Sequence, residues 1–292
     1  MGSRLEGAIP NGIPAGGGRY LIQDRCQVFR RLHQSSCFVI PNPWDIGSAR
    51  TLARLGFPAL ATTSSGFAWS LGRQDNHVTL DEALNHFRAI AASVTVPVNG
   101  DFEGGFAVEP ESVGSNVLRA VTTGVAGLSI EDSTGDGSRP LFDFGLAVER
   151  VRAAREAIDR SCTGAVLTGR SEGFIVGRPD LKETIRRLTA YAEAGADCLY
   201  APGIRSRDEI VAVVKAAGPK PVNVLVGSDF TTVSELAGLG VRRISVGGAL
   251  ARAAWTGFLK AAEEIAGRGS FGGLAGGVPF DEINDSFGEL AG

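Results

Sequence analysis

Acidic residues gather at the ends of short apolar runs in this chain. The run 96–101 closes on Asp101-Phe102-Glu103, the run 127–131 closes on Glu131-Asp132, and the run 165–169 is followed by Arg170-Ser171-Glu172. Asp75 lies in the polar stretch that follows Thr62-Thr63-Ser64-Ser65-Gly66. Carboxylates brought together by neighbouring strands repel. Two charges ~5 Å apart cost about 3 kcal/mol at an effective dielectric near 20. A bound cation removes that cost. Oxygen donors without His or Cys suit Mg²⁺ or Mn²⁺, and magnesium keeps several waters, so some of these acids act through water. Asp101 leads the metal candidates, because it ends an apolar strand with Glu103 on the same side of the pleat. Glu131 comes next. Each acid taken alone reads equally well as a helix cap or an arginine partner.

Arg170 carries a planar guanidinium that grips a carboxylate or phosphonate bidentately; an ion pair with Glu131 or Glu172 is the alternative. The Ser64-Ser65-Gly66 segment offers hydroxyls and N–H groups to an anion, or is a plain turn. Asp75, Glu131 and Arg170 are the catalytic candidates. Trp44, just past a strand end, walls the pocket or packs in the core. Asn223 on a later strand is a further substrate-binding candidate. His77 lies two residues beyond Asp75, while His33 and His86 fall on predicted helices. No serine-nucleophile motif is present, so a Ser-His-Asp triad has no support.

Positioning these residues takes an alternation of strand-length apolar runs with helix-length amphipathic segments, the pattern of βα units on a parallel sheet. Strands are predicted at 37–41, 59–63, 96–101, 127–131, 165–169, 198–201, 222–225 and 243–246. Helices are predicted at 27–34, 46–55, 80–93, 112–123, 145–159, 181–194, 207–216, 233–239 and 250–266. Thr79 before Asp81-Glu82 and Ser206 before Asp208-Glu209 are helix starts. Gly56, Gly124 and Gly195 suit left-handed helix ends. A strand followed by a helix eight times over makes a single (β/α)8 barrel of the TIM type the economical fold, with its active site at the C-terminal ends of the strands. The expected organisation is a leader at 1–26, a catalytic barrel at 27–266, and a tail at 267–292 that packs on the barrel or on a neighbouring subunit.

Bulk properties exclude other classes. A net charge of −3 without basic runs argues against nucleic acid. No stretch approaches the ~20 apolar residues of a membrane span, and the N-terminus has no apolar signal core. A cytoplasmic enzyme is expected. Cys26, Cys37, Cys162 and Cys198 form no CxxC pair, which argues against zinc and disulfides. The lysines are Lys182, Lys215, Lys220 and Lys260, and none ends a strand, so Schiff-base aldolase chemistry is nearly excluded.

These motifs together resemble the isocitrate lyase and phosphoenolpyruvate mutase superfamily. The carrying segments are NPWDIGSAR (42–50), TTSSGFAWSLGRQD (62–75), PVNGDFEGGF (97–106), GLSIEDS (127–133), LTGRSEGF (167–174), AYAEAGADCLYAPG (190–203) and LGVRRISVGGAL (239–250), and the resemblance covers about 29–287. It implies that Asp101 touches Mg²⁺ while Asp75, Glu103 and Glu131 hold its waters. It implies that Ser65, Gly66 and Phe67 bind a substrate carboxylate, with Arg170 clamping the other end. Family substrates are small 2-oxo or 2-hydroxy acids, and the shared logic is stabilisation of an enolate-like species. Members are commonly tetramers that exchange a C-terminal helix, so the resemblance implies a homo-oligomer and a swapped C-terminal helix.

Two departures stand out. Glu103 replaces an aspartate common in the family. The loop after the fourth strand reads EDSTGDGSRPLFD, where the lyases carry Lys-Lys-Cys-Gly-His and the mutases carry lysine and asparagine. The usual isocitrate or methylisocitrate lyase route is therefore not expected. Arg139 in this loop reads as a solvated side chain that loop closure could bring to the substrate. The leading reading is a Mg²⁺-dependent enzyme acting at a C–C bond of a small 2-oxo or 2-hydroxy dicarboxylate. A P–C bond reaction on phosphonopyruvate or phosphoenolpyruvate is the runner-up. VGSDFTT and VGGAL sit where other barrels hold phosphate, and a non-catalytic binding barrel is the third reading.

Overall fold

The computed structural model describes residues 22–288; the leader expected at 1–26 lies mostly outside them. Eight parallel strands form one sheet: β1 (Phe38–Ile40), β2 (Leu60–Ala61), β3 (Val98–Asp101), β4 (Gly127–Glu131), β5 (Val166–Arg170), β6 (Cys198–Tyr200), β7 (Val222–Leu225) and β8 (Arg243–Ser245). Their order is β1-β8-β7-β6-β5-β4-β3-β2. Ala61 N donates to Pro41 O at 3.0 Å and draws the two ends together. Asn42 strengthens that seam. Its Nδ2 donates to Thr62 O, and its Oδ1 accepts from Val246 N and Gly247 N, each at 2.9 Å. The strands are short and almost wholly buried, as expected where helices cover the outside and side chains fill the inside.

The helices are α1 (Ile22–Gln34), α2 (Ile46–Arg54), α3 (Ser64–Ser70), α4 (Leu80–Ser93), α5 (Pro110–Val121), α6 (Phe144–Ser161), α7 (Leu181–Glu193), α8 (Arg207–Ala217), α9 (Val233–Gly238), α10 (Ala249–Arg268) and α11 (Phe280–Ser286). Local chemistry sets their starts. Asp45, Thr79, Ser206 and Thr232 each form a reciprocal capping box with the residue three positions on. The helix ends at Gly56, Gly124 and Gly195 carry φ of +88°, +102° and +105°, which glycine adopts without strain.

Three details differ from the sequence reading. The first helix begins at Ile22, so the buried Cys26 belongs to the body of the fold. The serine-rich stretch after β2 is helical, because Thr63 caps α3 by accepting from Gly66 N. The final helix of the barrel runs to Arg268. Beyond these, the tail forms α11, which lies on α2 of its own barrel, where Arg50 donates to Phe287 O at 3.1 Å and sits over the Phe287 ring.

The position of α1 fixes which end of the barrel is open. Phe29 on α1 is fully buried beside Gly127, where a Cβ would meet the Phe29 ring at 2.8 Å. Gly127, Phe38 and Arg243 all begin strands, so α1 closes the N-terminal mouth. Among the described residues no helix is long and apolar enough to cross a membrane.

Candidate active site

The open, C-terminal mouth is where the acidic residues meet. Asp101 ends β3, and its N–H donates to Thr62 Oγ1 at 2.8 Å. Its carboxylate accepts from Ser64 N at 3.1 Å, from Ser129 Oγ at 3.3 Å and from Arg170 Nη1 at 2.7 Å. Arg170 ends β5 and divides its donors three ways. Nη1 goes to Asp101, Nη2 to Glu131 Oε2 at 2.9 Å, and Nε to Glu172 Oε1 at 2.9 Å. The Tyr200 ring lies beneath it, 5.1 Å from the guanidinium carbon.

Charge is unevenly matched here. Asp75 and Glu103 join Asp101, Glu131 and Glu172 around that one guanidinium. Burial, then Asp101 and Asp75, push the Glu103 carboxyl up to about 8. Asp75 is raised by its protein surroundings and by Asp101. Burial raises Glu131 and Glu172 against the pull of Arg170. Arg170 itself is held above its ordinary range, since Glu172, Glu131 and Asp101 outweigh its own burial. The expected crowding of carboxylates is thus present, and Arg170 relieves part of it.

Two buttresses hold this arrangement. Behind β4 and β5, Asp132 accepts from Glu172 N at 2.8 Å, from Tyr191 Oη at 2.6 Å and from Arg187 Nη1 at 3.1 Å. Below the β3 loop, fully buried Arg150 donates to the carbonyls of Gly104, Ala107 and Val108 and stacks 3.9 Å from the Phe142 ring. That loop is strained. Glu103 and Phe106 hold φ of +46° and +55°, a region that side chains other than glycine rarely occupy.

The acids open onto a cavity of about 150 Å³ inside the barrel, lined among others by Ser65, Asp75, Asp101, Arg170, Asn223 and Arg243. Two larger grooves, of about 530 and 740 Å³, lie on the helical exterior and hold none of these acids. Ser65 reaches the cavity because Gly248 has no side chain; a Cβ there would sit 2.8 Å from Ser65 Oγ. Glu103 lies next door with Asp101 in a smaller recess. Other predicted residues fall elsewhere. Gly66 is buried against Thr63 and Trp44. Phe67 stacks on buried His86 at 3.9 Å and lines the smaller recess rather than the barrel cavity. Trp44 lines the exterior groove between α2 and α11. His77 is exposed and bonded to Asp75 O. Arg139 is largely exposed beside Asp143. The sequence reading missed Asn42, Thr62, Asn99, Ser129, Tyr200, Arg243 and Ser245. Apart from Asn42, which follows the first strand, their common signal was a polar residue inside a strand-length apolar run.

Among the described residues, no three His, Cys, Asp or Glu side chains converge as a ready cage for a cation. The donor chemistry nevertheless suits a hard divalent ion. The acids are all oxygen donors, mutually repelling, and short of positive charge. Magnesium characteristically takes one or two carboxylates and keeps its waters, and Asp101 with the acids around it offers carboxylates of that kind.

The phosphoenolpyruvate phosphomutase family profile matches residues 29–266. A solved lyase/mutase-like protein from Burkholderia cenocepacia J2315 is 45% identical, with a TM-score of 0.88 over 92% of this chain and 98% of that one. An oxaloacetate decarboxylase from Bradyrhizobium sp. strain BTAi1 is 29% identical over 205 residues, 68% of this chain and 63% of its own length. A phosphonopyruvate hydrolase, solved in complex with oxalate and Mg²⁺, is 25% identical, with a TM-score of 0.77 over 89% of this chain and 95% of its own. The chain belongs to the phosphoenolpyruvate mutase/isocitrate lyase superfamily, a group of lyases and mutases.

Proposed function

We propose that this protein is a Mg²⁺-dependent enzyme that decarboxylates, hydrolyses or cleaves a C–C bond of a small 2-oxo or 2-hydroxy dicarboxylate through an enolate-like species. The observation that carries this reading is one guanidinium shared by Asp101, Glu131 and Glu172 at the mouth of a small cavity. Mg²⁺ or Mn²⁺ near Asp101 would supply positive charge to substrate oxygens as negative charge develops. Arg170 supplies a fixed guanidinium beside it, already oriented by three carboxylates and therefore needing little reorganisation. Ser65 offers its hydroxyl to a substrate carboxylate from the facing wall. Asp75, at the solvent edge, and Glu131, at the end of β4, are the acids that would hold water or a proton near the substrate. Ser64 and Ser129 fix the rotamer of Asp101, while Thr62 Oγ1 holds its backbone N–H.

Among the three reactions, decarboxylation of an oxaloacetate-like acid asks least of the β4 loop. The carbon bond breaks to release CO₂, and the enolate carbon takes a proton from water. Aldol-type cleavage needs a base to remove a substrate hydroxyl proton, and the loop contains neither Cys nor Lys. The oxaloacetate decarboxylase relative supports the first reaction. A P–C bond reaction on phosphonopyruvate is the second reading, supported by the family profile and the phosphonopyruvate hydrolase neighbour. Self-association is part of the proposal, because Trp255, Phe258, Phe271 and Phe280 on α10 and the tail are exposed. Light scattering tests it, with a dimer or tetramer expected.

The deciding experiment is incubation with oxaloacetate, a set of alkylmalates and phosphonopyruvate, each with Mg²⁺ or Mn²⁺. Pyruvate, or oxalate with acetate, released from a substrate without phosphorus supports the first reading, and phosphate or phosphoenolpyruvate formed from phosphonopyruvate supports the second. Absence of turnover on every substrate would overturn both and leave a binding protein on an enzyme's barrel.

A further inference from the structure

Deep in the same barrel lies a second cation with no acid paired to it among the described residues. Arg243 begins β8 and is 3% exposed. Its Nε donates to Asn223 Oδ1 at 2.9 Å, its Nη2 to Thr168 Oγ1 at 3.1 Å, and its Nη1 meets His33 Nε2 at 3.2 Å. All three partners are neutral. His33 Nδ1 faces Phe29 O at 2.8 Å, so Nδ1 carries the proton and Nε2 is the acceptor. Burial, with Arg243 adding to it, pushes His33 down to about 3, so the ring stays uncharged. A guanidinium has five N–H donors, and these contacts account for three.

Charges buried in proteins are ordinarily paired, because desolvation of a lone ion is strongly unfavourable. Arg243 lines the cavity that also holds Ser65, Asp101 and Arg170. Register joins the two arginines. Arg170 pairs with Tyr200, Tyr200 with Asn223, and Asn223 with Arg243, so one row of side chains crosses four strands from one cation to the other. A second orphan shares the space. Asn99 is 4% exposed, lines the same cavity, and its Oδ1 has no hydrogen-bond donor among the described residues. The cavity therefore offers unused N–H groups and an unused acceptor below the acidic mouth.

The geometry points to Arg243 as the subsite for the far carboxylate of a compact 2-hydroxy or 2-oxo dicarboxylate whose near end lies at Asp101 and Arg170. This inference rests on the reading of the mouth as a metal-assisted carboxylate site. Asn99 Oδ1 favours a ligand that also presents a hydroxyl. At about 150 Å³ the space is below the ~300–1,000 Å³ of pockets for larger ligands, which suits a four-carbon acid.

Calorimetry on the full chain with Mg²⁺ tests this, using oxalate, malate and 2-hydroxybutyrate. Oxalate fills only the near end, and 2-hydroxybutyrate replaces the far carboxylate of malate with a methyl group. Wild-type protein is expected to bind malate at least tenfold more tightly than 2-hydroxybutyrate. Arg243→Met should erase that preference while oxalate binding stays within about twofold, and Arg243→Lys should restore part of it. Equal wild-type affinity for malate and 2-hydroxybutyrate, with oxalate still bound, would overturn the subsite alone. Equal weakening of oxalate and malate in Arg243→Met would also overturn it, by making the residue structural. Failure of wild-type protein to bind even oxalate would overturn the reading of the mouth and the subsite with it. The wild-type comparison decides the matter should either variant fail to fold, which circular dichroism reports.

Discussion

Arg170 Nη1 lies 2.7 Å from Asp101 Oδ1, so the last side chains of β3 and β5 meet across the end of β4. Asp101 is thereby fixed from three directions, with Ser64 and Ser129 on its other sides. Replacing it by asparagine keeps the shape and the acceptor toward Arg170 but removes the charge. Asp101→Asn is expected to weaken Mn²⁺ binding by about 10–100-fold or more, the scale seen when groups around a metal are altered. Turnover should fall at least as far. Mn²⁺ titration by electron paramagnetic resonance measures the first quantity, and unchanged Mn²⁺ affinity would remove Asp101 from the metal site.

Arg150 acts on the site without facing it. Its donors hold the carbonyls of Gly104, Ala107 and Val108, which keeps Glu103 and Phe106 in their left-handed backbone conformations. Arg150→Met would leave buried carbonyls without donors, at roughly 1–3 kcal/mol for each one not reached by water. The expected outcome is a stability loss of about 3 kcal/mol in urea unfolding, together with weaker Mn²⁺ binding. Arg150→Lys should recover little of either, because an ammonium cannot span three carbonyls as a planar fork does. Full Mn²⁺ affinity in a folded Arg150→Met protein would show that the loop holds its shape unaided.

The difference between what the residues announced and what the structure adds has a physical origin. Eight apolar runs, capped helices and acids at strand ends are local signals, and they located the barrel, Asp101, Glu131 and Arg170. The α3 helix was hidden because Ser-Ser-Gly disfavours helix interiors; one threonine cap and tertiary packing override that preference. Arg243, Asn99 and Ser129 were hidden for a different reason. Whether a strand's polar residue faces the interior or the helices depends on barrel closure, which is not local. Phe67 and Trp44 sit beside the Ser-Ser-Gly segment, yet neither lines the barrel cavity: Phe67 stacks on His86 at the smaller recess, and Trp44 lines the exterior groove. The one-residue alternation of facing cannot be assigned where the strand gives way to a helix.

Acid should weaken the fold partly through His33. Burial, then Arg243, lowers its folded-state value to about 3 from an ordinary 6.5. Between those values the unfolded chain binds more protons than the folded one, so stability rises with pH across the window. Stability is therefore greatest above about 6.5 and falls as the solution is acidified toward 3, at up to ~1.4 kcal/mol per pH unit for one such group. His86, lowered to about 4 by burial, contributes with the same sign. His33→Gln isolates the first contribution. It should be less stable than wild type near pH 7.5, because the contacts to Phe29 and Arg243 are disturbed, but its stability should depend less steeply on pH between 6.5 and 4.5. Parallel urea-midpoint curves for the two proteins over that range would contradict the assignment.

Gly66 sets how closely α3 approaches the barrel mouth. A Cβ at this position would lie 2.7 Å from Thr63 Cγ2 and 2.9 Å from Trp44 Cβ. Neither atom is the free end of a long side chain, so α3 itself must shift. Alanine normally favours a helix over glycine by about 1 kcal/mol, but overpacking of this kind typically costs about 1–3 kcal/mol. Steric cost should win. Because Thr63 Oγ1 caps Gly66 N and also meets Ser65 Oγ at 3.1 Å, the same shift would displace the Ser65 hydroxyl from the cavity wall. Gly66→Ala is thus expected to lower the melting temperature and to raise KM for a carboxylate substrate. Gly145→Ala, on α6 with nothing within 4 Å of the new Cβ, is the matched control and should be neutral or mildly stabilising. A Gly66→Ala protein with wild-type stability and KM would show that α3 has slack and does not position Ser65.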